Sequence, residues 1–112
     1  MVELEDRNPE HQAIKRKICE FCGCPDMTVI TKTALNDLGI EGISKKQVLS
    51  ELQVHISGGR RVFTDRMDNN DVAYIAKECV VCGVVLFVKV KFQNQKGREV
   101  MVVMSAHPPR KW

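Results

Sequence analysis

The rhythm of apolar positions changes once along the chain. Up to about residue 57 they recur at helical spacing in short stretches; after Gly59 they alternate or cluster as strands do. Asn8-Pro9 marks a first helix, since Asn caps and Pro is tolerated at the first helical position. That helix is predicted to reach about Lys17, ending in Lys15-Arg16-Lys17, whose charges suit a helix C-terminus. Cys19 to Pro25 reads as a turn. Thr31 to Leu38 reads as a second helix closed by Gly39. Ser44-x-x-Gln47 is a capping box, followed by Val48, Leu49 and Leu52 at helical spacing. This third helix should stop before Ser57-Gly58-Gly59.

Val72 to Lys77 is a strand candidate. Along 84–92, Phe87, Lys89 and Lys91 fall on one side and Leu86, Val88, Val90 and Phe92 on the other, the pattern of a sheet with one buried face. Lys96-Gly97 predicts a hairpin turn. Val100 to Met104 suits a central strand, and His107-Pro108-Pro109 ends it because proline cannot donate to the ladder. No helix lies between the late strands, so parallel pairing among them is disfavoured. The expected fold is α+β: short N-terminal helices packed on a three- to five-stranded antiparallel sheet. One domain is expected over 1–112. Its parts are a helix and cysteine knuckle (1–27), a helical part (28–57), the sheet (58–107) and a tail (108–112) in which Trp112 is loosely held.

Composition changes this picture in two ways. At 112 residues and 44% hydrophobic, the chain is too short for a TIM barrel and too apolar for wholesale disorder. No apolar run spans a bilayer, and the acidic Met1–Glu10 stretch is unlike a secretory signal, so no membrane association and a cytoplasmic location are expected. The net charge of +3 is also uneven. Residues 1–41 carry five basic and eight acidic side chains, residues 42–112 twelve and six. A polyanion should therefore dock on the second part.

Five cysteines in a reducing compartment call for an explanation other than disulfides. Cys19-x-x-Cys22-Gly23 and Cys79-x-x-Cys82-Gly83 are copies of one unit. Two such turns facing each other make a tetrahedral four-thiolate zinc site, which has no open position and is therefore structural. Here it would tie the N-terminal segment to the sheet across a gap of 56 residues. Buried thiols and a redox pair stay open as alternatives. Cys24 is the spare.

Two stretches carry a family likeness. One is Thr28-Val-Ile-Thr-Lys-Thr-Ala-Leu-Asn-Asp-Leu-Gly-Ile40 with the helix containing Val48-Leu49-x-x-Leu52. The other is Tyr74-Ile-Ala-Lys, Gly83-x-x-Leu86-Phe-Val-Lys89-Val, then Val102-Val-Met-Ser105-Ala-His107. In that order, over roughly residues 28–107, the chain resembles the MqsR family of toxins. The resemblance implies a RelE-like fold, messenger-RNA interferase activity and a cognate antitoxin protein as partner. The chain departs from the family pattern in having Phe87 for a strand tyrosine and His107 for a terminal lysine. Gly58-Gly59-Arg60-Arg61 stands where the family has Phe-Tyr-Lys-Ser.

Metal-independent RNA cleavage needs a base for the ribose 2′-OH, an acid for the leaving oxygen and cations for the developing charge. Lys89, His107 and Arg61 are the candidate catalytic residues. Arg60, Lys91, His55 and Tyr74 are the candidate RNA-binding residues. The expected function is thus a toxin-like endoribonuclease with a structural zinc on Cys19, Cys22, Cys79 and Cys82. The alternative is a non-catalytic zinc module that binds nucleic acid or a protein.

Overall fold

A computed structural model describes residues 1–109; Arg110, Lys111 and Trp112, with most of the expected tail, lie outside the described residues. The strands are β1 (Val2–Glu3), β2 (Thr28–Ile30), β3 (Phe63–Arg66), β4 (Val72–Val81), β5 (Val84–Gln95) and β6 (Arg98–His107). The helices are α1 (Pro9–Cys22), α2 (Lys32–Ile40) and α3 (Lys45–Ser57), with a 3-10 turn at Pro25–Met27. The class is α+β. The sheet, however, has six strands in the order β1-β3-β4-β5-β6-β2, and β2 runs parallel to β6, so it is larger than expected and mixed.

Local chemistry accounts for the helix ends. The Asn8 side chain accepts from the amides of Glu10 and His11, and Thr31 caps α2 through the Ala34 amide. Ser44 and Gln47 form the reciprocal capping box. Helix α1 runs past Lys17 to Cys22, because Lys15, Ile18 and Cys22 continue one buried stripe. The first cysteine pair therefore sits on a helical turn and not in a loop. Helix α3 buries Val48, Leu49, Leu52, His55 and Ile56.

All three helices cover one face of the sheet. The core joins Ile18, Leu38, Leu49 and Leu52 to Ala76, Cys79, Val81, Leu86, Val88, Val90, Met101, Val103 and Ala106. Burying a side chain such as Leu49 or Val88 contributes about 1.5–3 kcal/mol. Cys82-Gly83 and Lys96-Gly97 both have positive φ (51° and 77°; 53° and 79°), as two-residue hairpin turns require.

Two irregularities re-aim side chains. Between Ala76 and Cys79 the register with β5 shifts, so both face the core. Between β5 and β6, Lys89 pairs with Ser105 but Val90 pairs with Val103, leaving Met104 as the extra residue. This puts Ala106 into the core and His107 on the uncovered face.

Candidate functional site

The uncovered face of the sheet is built by alternation. Register places Phe63 and Asp65 (β3), Ala73, Ile75 and Lys77 (β4), Phe87, Lys89 and Lys91 (β5) and Val102 and His107 (β6) on this side. Ile75 is 2% exposed and Val102 6%, although no helix covers them. The stems of Lys89 and Lys91, whose side chains are 20% and 19% exposed, lie among them with their ammonium groups at the rim.

The polar groups on this face are ordered. Lys89 Nζ is 3.2 Å from Asp65 Oδ2, and Lys91 Nζ is 3.9 Å from Asp71 Oδ2. Lys77 Nζ lies 4.5 Å above the Phe63 ring centroid. Phe87 and His107, directly opposite in the ladder, stack with centroids 5.3 Å apart. His107 Nδ1 is 2.8 Å from the Pro108 carbonyl oxygen. A carbonyl only accepts, so in the neutral ring Nδ1 carries the proton and Nε2 keeps its lone pair.

A cavity of about 380 Å³ adjoins this face beyond β3, lined by His55, Gly59, Arg60, Arg61, Phe63, Lys77 and Glu78. His55 is buried, its Nε2 donating to the Arg61 carbonyl at 3.0 Å, while Nδ1 has no partner among the described residues. Arg61 Nε pairs with Glu3 Oε1 at 3.1 Å.

The expected site residues thus divide between two places. Lys89, Lys91 and His107 share the open face. His55, Arg60 and Arg61 share the cavity. Arg61 belongs to the segment entering β3, three strands from His107 on β6, or roughly 14 Å at the usual strand spacing. Tyr74 is on neither: it faces the helices, 6.1 Å from Phe92, and burial raises its phenol above the ordinary range. Sequence reasoning missed Phe63, Asp65, Lys77 and Glu78. Alternation after Val72 was a usable signal for Lys77, since it follows Ala73 and Ile75 on one face.

Two of the thiols, Cys22 and Cys79, lie in the core between helices and sheet. Cys22 and Cys79 are buried, Cys19 is half-buried, and Cys82 and Cys24 are exposed. Burial pushes the Cys22 thiol up to about 12, with Cys19 and Cys79 near enough to add to the shift. Burial first, then Glu51, raises Cys79 to about 11, with Arg60 opposing. Cys82 occupies the hairpin turn. Among the described residues, no group of three or more His, Cys, Asp or Glu side chains converges as a metal cage. No helix among the described residues is long and apolar enough to cross a membrane.

No protein-family model, curated protein or solved structure matches this chain.

Proposed function

We propose that the protein binds RNA on the open sheet face and cleaves it at His107, acting as a toxin-like endoribonuclease of the cytoplasm restrained by an antitoxin. The observation that carries this reading is the fixed His107 ring, stacked on Phe87 with Nε2 as its free nitrogen, on the face that holds Lys77 and Lys89. Nε2 takes the proton of a ribose 2′-OH, and the 2′-oxygen attacks the adjacent phosphorus. The lysine ammonium groups stabilise the phosphorane charge. The 5′-oxygen leaves with a proton from water, and the upstream product ends in a 2′,3′-cyclic phosphate. Arg61 lies outside this step.

The same reading keeps a structural zinc on Cys19, Cys22, Cys79 and Cys82. Its support is the approach of Cys22, one member of the first pair, to Cys79, with Cys82 three residues further along the same hairpin. Closing the site requires the Cys82 thiol to turn inward.

Incubation of labelled RNA with the purified chain, in buffer without added divalent metal, tests the activity. Fragments ending in cyclic phosphate are expected, and none from His107→Ala. Intact RNA throughout, with binding that weakens as salt rises, would remove the cleavage step. It would leave the non-catalytic module, which the Lys89–Asp65 and Lys91–Asp71 pairs favour.

A further inference from the structure

We infer that the cavity between the C-terminal end of α3 and the β3–β4 edge is a binding site for a phosphate monoester, the terminal phosphate of a nucleotide or of an RNA chain. It borders the His107 face, with which it shares Lys77, but phosphate binding there does not depend on cleavage at His107.

Charge is the first argument. Arg60, Arg61 and Lys77 line the cavity against Glu78, and Glu3 pairs with Arg61, which leaves an excess of one positive charge. A phosphate monoester is close to a dianion near neutral pH, whereas each internal phosphodiester carries one charge. Arg60 forms no ion pair among the described residues, so its guanidinium is available for bidentate contact. Lys77, held over Phe63, adds a point charge to the lining.

The backbone supports the same assignment. Helix C-terminal carbonyls would repel an anion. Here the amides of Gly58, Gly59 and Arg60 cap the carbonyls of Val54, Ile56 and His55. Those amides are consumed, so the ligand is held by side chains and not by a backbone cradle. His55 forms the wall below, and its bond to the Arg61 carbonyl fixes the segment that carries both arginines. Its Nδ1 is the one buried side-chain nitrogen or oxygen without a partner among the described residues. Gly59, at φ +77°, leaves open space where a side chain would stand.

The test is a titration of the ¹⁵N-labelled full chain, followed by amide shifts at constant ionic strength. The probes are inorganic phosphate, adenosine 5′-monophosphate and a short RNA with either a 5′-phosphate or a 5′-hydroxyl. Saturable shifts centred on Gly59, Arg60, Arg61 and Lys77 are expected with the monoesters. Arg60→Ala, an exposed position whose fold is checked by circular dichroism, should raise the dissociation constant about tenfold. A 5′-phosphorylated RNA binding much tighter than the mononucleotide identifies a chain end as the source; equal affinities identify a free nucleotide. The proposal is overturned if no monoester shifts these amides. It is equally overturned if the 5′-hydroxyl RNA binds there as well, or if Arg60→Ala changes nothing. Failure of RNA cleavage leaves it standing.

Discussion

The rings of Phe87 and His107 lie 5.3 Å apart and within 15° of parallel, across the β5–β6 ladder on the uncovered side of the sheet. The contact orients an imidazole whose Nδ1 is already committed to Pro108. His107→Ala should therefore lower RNA cleavage by about 100-fold or more, the usual scale for a general base. Phe87→Leu should lower it less, by disordering the ring. Product analysis on a denaturing gel reads both, and an unchanged rate in His107→Ala would remove this residue from the mechanism.

Asp65 holds Lys89 by an ion pair 3.2 Å long on the same face. RNA must compete with that carboxylate. Asp65→Asn should strengthen RNA binding several-fold at low salt, and Lys89→Ala should weaken it and reduce the salt slope by about 0.7. If Lys89 only solubilises the face, Asp65→Asn leaves affinity where it was.

Zinc on the four paired cysteines predicts one zinc per chain by elemental analysis of protein purified without added metal. Chelation should then lower the melting temperature, because such a metal contributes folding energy directly. Zinc-free protein that melts cooperatively at an unchanged temperature rejects the metal.

The metal-free chain carries a different signature. Cys22 and Cys79 titrate near 12 and 11 in the fold against 9.0 for an ordinary thiol. Their folded values are raised, so the stability they contribute is complete below about pH 9. It is lost as pH climbs through 11 to 12, where the unfolded chain ionises first. Melting temperature should fall across that window, and Cys22→Ala should flatten the fall. A flat alkaline profile contradicts the burial of these thiols.

His55 is buried with one side-chain bond among the described residues, to the Arg61 carbonyl. His55→Ala loses that bond and leaves a void beneath the cavity, at a cost of about 2 kcal/mol. Urea unfolding measures it; a change under 0.5 kcal/mol would mean the ring holds nothing in place.

Much of the architecture was legible in local chemistry. Ser44 and Gln47 announce α3, Lys96-Gly97 announces the β5–β6 hairpin, and alternation along 84–92 sorts Lys89 and Lys91 from Val88 and Val90. Each signal involves residues only a few positions apart along the chain. The extension of α1 to Cys22 was also readable, since Ile14, Ile18 and Cys22 share a helix face, but the cysteine pair suggested a turn instead. Strands β1, β2 and β3 escaped because two to four residues carry too little periodicity. The parallel pairing of β2 with β6 joins residues more than 70 apart.

The sequence by itself determined which residues are apolar, where helices are capped and which side chains could bear charge or hold metal. The tertiary structure decided how those groups meet. The shift between Ala76 and Cys79 turns Cys79 inward, where it is near enough to Cys22 to raise the Cys22 thiol further. The extra residue at Met104 reverses the alternation of β6, so that His107 reaches the open face beside Phe87 and not the core. Neither bulge leaves a mark in the local sequence, because each is selected by the packing of Ala76, Cys79 and Ala106 against the helices. Side-chain period in a strand is two, so one inserted residue redirects everything beyond it.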